Sequence, residues 1–191
     1  MASVQWLGMQ RTEIEETASK YLEFMVHGFM NGLITLQELE GITDEEMETV
    51  YALGYNFFSY GKYEGAKDIF TGLTAYAPYT AHYWRALGAV NQQLKDYQEA
   101  ISAYDMAVAN DESDVVSYVY RGESKILSGQ VEPGLQDLKK VIELAPMHPE
   151  AAQWVQRAEL LIRLQQATLA SSDRTSPTSP KMMDVTSRTK I

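Results

Sequence analysis

"YALGYNFFSYGKYEGAKDIF", residues 51–70, decides how the whole chain is read. Aromatic residues stand at 51, 55, 57, 58, 60 and 63, and the chain turns through Gly61-Lys62-Tyr63 before a second apolar run. A helix needs only one apolar stripe, recurring every three or four residues, to pack on a core. This one carries two. Val50, Leu53, Gly54 and Phe57 form a stripe expected to pack internally, while Tyr51, Tyr55 and Phe58 fall at i, i+4 and i+7 on another side. The reading that fits is a helix with one face building the fold and the other lining a groove.

The pattern returns down the chain. Gly54, Gly88 and Gly122 lie 34 residues apart and divide residues 47–148 into units 47–80, 81–114 and 115–148. The first unit continues with Ala66, Phe70 and Pro78; the second has Trp84, Leu87-Gly88, Tyr97, Ala100, Tyr104 and Ala107. The third has Tyr118, Gly122, Gly129, Leu138 and Pro146, with Gly134 where the others carry alanine. This is the period of the tetratricopeptide repeat, a helix-turn-helix unit that stacks into a solenoid. Small residues let paired helices approach, bulky ones fill the space beside them, and proline ends the unit. The expected fold class is all-α: a tetratricopeptide-repeat superhelix of three helix-turn-helix repeats.

The flanks read differently. Residues 1–46 are expected to form amino-terminal helices, beginning with an amphipathic one over 12–30 that carries Ile14, Ala18, Tyr21, Leu22, Met25 and Phe29 on one face. That face is expected to pair two copies of the chain into a homodimer through Tyr21, Leu22, Met25 and Phe29. "TLQE" at 35–38 and "TDEE" at 43–46 are capping boxes, each opening a helix. Residues 149–170 are expected to form a carboxyl-terminal capping helix with Trp154, Ala158 and Leu161 at helical spacing, and the Ser/Thr/Pro-rich segment 171–191 a disordered tail.

Composition narrows the function. With no cysteine, disulfides, zinc-thiolate sites and cysteine nucleophiles are excluded, and His27, His82 and His148 have no ligand-like spacing, so no metal or cofactor is expected. A net charge of −10 opposes nucleic-acid binding. The start of the chain lacks the basic region of a secretory signal, and no run approaches the roughly twenty apolar residues of a membrane helix. No nucleophile–base pair, phosphate loop or metal spacing stands out; Glu45-Glu46 and Asp111-Glu112 sit at helix boundaries, where carboxylates cap. The expectation is a cytoplasmic binding protein and not an enzyme.

In each repeat's first helix, the second, fifth, ninth and twelfth residues should face the concave side of the solenoid. These are Glu48, Tyr51, Tyr55 and Phe58; His82, Arg85, Ala89 and Gln92; and Val116, Val119, Glu123 and Ile126. Such a surface suits an extended peptide whose apolar anchors are spaced by polar residues. An anchor contributes ~1.5–3 kcal/mol gross, and ordering the peptide takes back several kcal/mol. A few anchors then give roughly micromolar affinity.

Residues from about 28 to 145 resemble the class II chaperones of bacterial type III secretion systems. The resemblance is carried by "GFMNGLITLQELEGITDEEMETVYALGYNFFSYGKYEGAKDIF" and "LGAVNQQLKDYQEAISAYDMAV". It implies a cytosolic chaperone that holds an extended segment of a hydrophobic translocator protein in the concave groove, keeping it soluble and unassembled before export. By position it implies peptide contacts at Tyr51, Tyr55, Phe58, His82, Arg85 and Ala89, and more weakly at Val116, Val119 and Glu123. The alternative is a generic tetratricopeptide-repeat interaction scaffold or assembly factor. A clamp for acidic carboxyl termini is disfavoured, because Tyr51 and Tyr55 stand where it needs lysine and asparagine.

Overall fold

The structure, a computed structural model, describes residues 11–175. The helices are α1 (Arg11–Met30), α2 (Leu36–Glu40), α3 (Asp44–Ser59), α4 (Tyr63–Tyr76), α5 (Ala81–Gln93), α6 (Tyr97–Asn110), α7 (Val115–Leu127), α8 (Val131–Leu144) and α9 (Ala152–Thr175). No strand occurs among the described residues. Helix α9 runs on to Thr175, into the segment expected to be tail; the rest of that segment, 176–191, lies outside the described residues.

Local chemistry sets the helix boundaries. Both capping boxes form: the Thr35 hydroxyl accepts from the Glu38 N–H at 3.2 Å, and the Glu38 carboxylate accepts from the Thr35 N–H at 2.7 Å. Thr43 and Glu46 repeat this at the start of α3, at 3.2 and 2.9 Å. Each cap contributes about 1 kcal/mol. Asp114 caps α7, accepting from the Val116 and Ser117 N–H groups. The turn inside each repeat passes through a left-handed residue, Gly61, Lys95 or Gly129, with φ of 72°, 65° and 89°.

Helices pair as α3/α4, α5/α6 and α7/α8, and each pair stacks on the next through α4/α5 and α6/α7. The first helices also touch one another in series, α3 to α5 and α5 to α7, which aligns them along one face. Helix α9 packs on both α8 and α7, so it stands where the first helix of a fourth repeat would. The phased glycines are where partners come closest. A Cβ on Gly54 would lie 2.7 Å from the Phe70 ring, and one on Gly88 2.6 Å from Tyr104. In the third pair, Gly122 and Gly134 meet backbone to backbone: a Cβ on Gly122 would lie 2.9 Å from the Gly134 carbonyl oxygen, so glycine replaces alanine there for a closer approach. Phe70, Tyr104 and Leu138 are almost wholly enclosed beside these contacts; each stabilises the stack by ~1.5–3 kcal/mol.

The first repeat departs from the expected internal stripe. Val50 and Leu53 are 42% and 49% exposed, and the buried residue on that part of α3 is Met47. The equivalent Leu87 and Tyr118 are buried. The cause is positional: α5 and α7 are covered by the preceding pair's second helix, whereas the first repeat has short α2 beside it, packed on α4 and bonded to α3 through Gln37 and Asp44. Ile42, Met47, Val50, Ile69, Leu73 and Tyr76 consequently line an open apolar hollow of about 330 Å³.

Helix α1 docks on α2, where the absence of a side chain at Gly28 admits Ile34, and the Tyr79 hydroxyl donates to the Gly32 carbonyl at 3.1 Å. Tyr21, Leu22 and Phe24 are each more than 60% exposed, Phe29 is 37% exposed, and Met25 is partly covered. The side chain of Ile14 lies outside the described residues.

Candidate functional site

The aligned first helices enclose a cavity of about 200 Å³, walled by Tyr51, Tyr55, Phe58, Arg85, Ala86, Ala89, Val116, Tyr120 and Trp154, with Phe70 of α4 behind. Six of the ten groove residues expected from the sequence line it: Tyr51, Tyr55, Phe58, Arg85, Ala89 and Val116.

Its amino-terminal end is aromatic. Tyr55 is 57% exposed, with its ring 6.5 Å from Phe58, which packs edge-on to Tyr63 at 5.6 Å. Tyr51 is held more firmly, its ring 5.6 Å from Phe70, 5.1 Å from His82 and 5.7 Å from Tyr83. Burial pushes its phenol pKa up, opposed by nearby Arg85. Tyr51 therefore joins core and groove, whereas Tyr55 belongs to the groove.

The polar groups are fixed by partners. Arg85 donates to the Asp114 carboxylate at 2.7 Å, so the residue that caps α7 also orients the guanidinium on the groove wall. His82 does not line the cavity; its ring packs on Tyr51, with Nε2 2.9 Å from the Glu48 carboxylate. Glu48 also accepts from the Tyr83 hydroxyl at 3.0 Å, and burial, then this bond, pushes the Tyr83 phenol up. His82 is thus a support for Tyr51.

Three other expected contacts lie off the cavity. Val119 is completely buried in the cluster that includes Ala151 and Ala158, because α9 folds over the third repeat where no repeat follows; it is a core residue. Glu123 is 8% exposed and accepts from Arg157 at 2.5 and 3.0 Å, tying α9 to α7. Gln92 donates to Glu123 at 3.3 Å and accepts from the Tyr104 hydroxyl at 3.1 Å, behind the groove surface. The Glu123 bonds raise the Arg157 pKa further, and burial raises that of Tyr104.

Sequence reasoning missed Ala86, Tyr120 and Trp154. All three continue the repeat register, for they lie 34 residues apart, at the sixth position counted from residues 81, 115 and 149. The expected set omitted that position. Among the described residues, no cluster of three or more His, Asp or Glu side chains could hold a metal ion. No described helix is long and apolar enough to cross a membrane.

Comparison with known proteins agrees with this geometry. Residues 47–79 and 82–112 match the tetratricopeptide repeat family. The chain is 26% identical over 136 residues to low calcium response locus protein H of Yersinia pseudotuberculosis, spanning 71% of this chain and 81% of that one. In structure it is similar to the type III secretion translocator chaperone SycD of Yersinia enterocolitica (TM-score 0.65, 25% identity, 68% of this chain and 97% of that one). It is also similar to PcrH of Pseudomonas aeruginosa, solved with the chaperone-binding region of PopB (TM-score 0.61, 27% identity, 63% and 97%). Fold and groove define a tetratricopeptide-repeat binding protein. Within that class, the chain is similar to the translocator chaperones of type III secretion, the family that the sequence resemblance had pointed to.

Proposed function

We propose that this chaperone works in the bacterial cytoplasm and holds an extended segment of a hydrophobic translocator protein along its concave groove, keeping that protein soluble and unassembled until export. The supporting observation is the apolar cavity between Tyr55 and Trp154, which lies on the face formed by the aligned first helices. Its apolar walls suit the anchors of an extended chain, and Arg85, held by Asp114, offers a donor to that chain's carbonyls. PcrH, a relative of the same fold, has been solved with the chaperone-binding regions of PopB and PopD. A homodimer through α1 is part of the proposal, supported by the exposed Tyr21 and Leu22.

The test is co-purification from the native cytosol through a tag on the chain, with the partner identified by mass. Recovery of a protein with long hydrophobic helices, reduced at least tenfold by Tyr55→Ala, is the expected result. Recovery only of soluble assembly factors, unaffected by Tyr55→Ala, would replace the export role with that of a general scaffold.

A further inference from the structure

We propose that Trp154 is the end wall of the groove, where it takes a large apolar side chain of the bound segment and donates its indole N–H to a peptide carbonyl. The proposal rests on the peptide-binding reading above and adds to it which helix selects the final anchor.

Four observations carry it. From the second repeat onward, residues 34 apart in one register reach the cavity, and they grow from Ala86 on α5 through Tyr120 on α7 to Trp154 on α9. Small residues leave space mid-groove, and the two aromatics close its end. Second, Trp154 is only partly buried. It borders the main groove, a hollow with Asp114 and His148, and another with Gln153 and Leu160. It therefore stands as a partition between open spaces. Third, its ring meets Tyr120 edge-on at 5.5 Å, and the Arg157 guanidinium, bound to Glu123, covers Tyr120 at 5.3 Å. The wall is braced without being filled. Fourth, among the described residues the Trp154 indole N–H has no hydrogen-bond partner, whereas that of Trp84 donates to the Pro78 carbonyl at 2.7 Å. Tryptophan that joins an apolar body to an unpaired donor is well suited to a peptide, which offers both an apolar side chain and a backbone acceptor.

The occupant is an extended peptide ending its contacts with Leu, Met, Phe or Trp. A helix would satisfy its own carbonyls and leave the indole N–H without a backbone acceptor.

The experiment uses a phage-displayed library of random ten-residue peptides, selected in parallel on the full chain, Tyr55→Ala, Trp154→Ala and Trp154→Phe. The full chain should enrich peptides with two or more spaced apolar anchors, one terminal anchor being large. Trp154→Ala should lose the size preference at that anchor alone and keep the others. Trp154→Phe should keep the preference but bind the enriched peptides about twofold to tenfold more weakly, the contribution of one neutral hydrogen bond. If Trp154→Ala fails to fold by circular dichroism, Trp154→Leu serves for the same comparison, with a shift toward smaller terminal anchors expected. An identical consensus from the full chain and the folded Trp154 variants would overturn the end-wall assignment while leaving the groove intact. A consensus unchanged by Tyr55→Ala would instead mean that the peptides bind elsewhere, and both readings would fall.

Discussion

Replacing Tyr51 or Tyr55 by alanine separates the two roles played by α3. The tyrosines are one helical turn apart and both line the cavity, but their surroundings differ. Tyr51 packs on Phe70, His82 and Tyr83, and Tyr55 is 57% exposed beside Phe58. Truncating Tyr51 uncovers on the order of 100 Å² of apolar surface, or ~2.5 kcal/mol at 25 cal/mol per Å². Lost ring-pair geometry adds ~0.5–1.5 kcal/mol. Tyr51→Ala should therefore lower unfolding free energy by roughly 3 kcal/mol. Tyr55→Ala removes little buried surface, and alanine favours the helix, so its folding change should stay within ~0.5 kcal/mol. In binding the order reverses. A peptide covering ~60–80 Å² of the Tyr55 ring gains ~1.5–2 kcal/mol, or a tenfold to thirtyfold change in Kd. Urea unfolding gives the first quantity, and calorimetric titration with a segment of the co-purified partner gives the second. Equal destabilisation by the two variants, with unchanged binding by Tyr55→Ala, would refute the division of α3 into core and groove stripes.

Other consequences follow from single contacts. Gly122→Ala places a Cβ 2.9 Å from the Gly134 carbonyl oxygen and should cost ~1–3 kcal/mol by overpacking, whereas Gly72→Ala, with no atom within 4 Å, should be neutral or stabilise by up to ~1 kcal/mol in urea unfolding. Arg157→Met leaves the buried Glu123 carboxylate without its cation; because Arg157 is itself about half exposed, the loss should be ~1–3 kcal/mol, below that of a fully buried pair, with faster amide exchange in α9. The Thr43 backbone N–H, then its hydroxyl, holds the Glu46 carboxyl below its ordinary 4.5. A depressed carboxylate stabilises above its unfolded value and loses that contribution as pH falls through the folded one, so urea midpoints should fall below pH 4.5 and Glu46→Gln should flatten that part of the profile. Leu22→Glu with Met25→Glu should halve the solution mass measured by light scattering if α1 pairs two copies; an unchanged mass would remove the dimer from the account.

Much of this was legible in the sequence because the signals are short-range or periodic. Thr35 and Thr43 cap their helices as the boxes predict, since a capping box needs only four residues. Glycines 54, 88 and 122 reveal the stacking because every repeat solves the same packing problem. What escaped was end effects. Val50 and Leu53 are exposed because no preceding repeat covers them, and Val119 is buried because α9 follows it; a rule for an interior repeat misassigns both. Trp154 escaped because it reads as part of a cap, although α9 continues the register of the first helices. Glu123 carried no local sign of its pairing with Arg157, 34 residues on.

The central claim is that the concave face holds an extended segment of a hydrophobic translocator. Site-specific photocrosslinking tests it most directly, with benzoylphenylalanine placed in living cells at Tyr55 inside the groove and at Tyr60 outside it. The account predicts a crosslink from Tyr55 to one continuous, non-helical segment of a protein with long hydrophobic helices, and none from Tyr60. Equal crosslinking from both positions, or capture of that partner from Tyr60 alone, would contradict it.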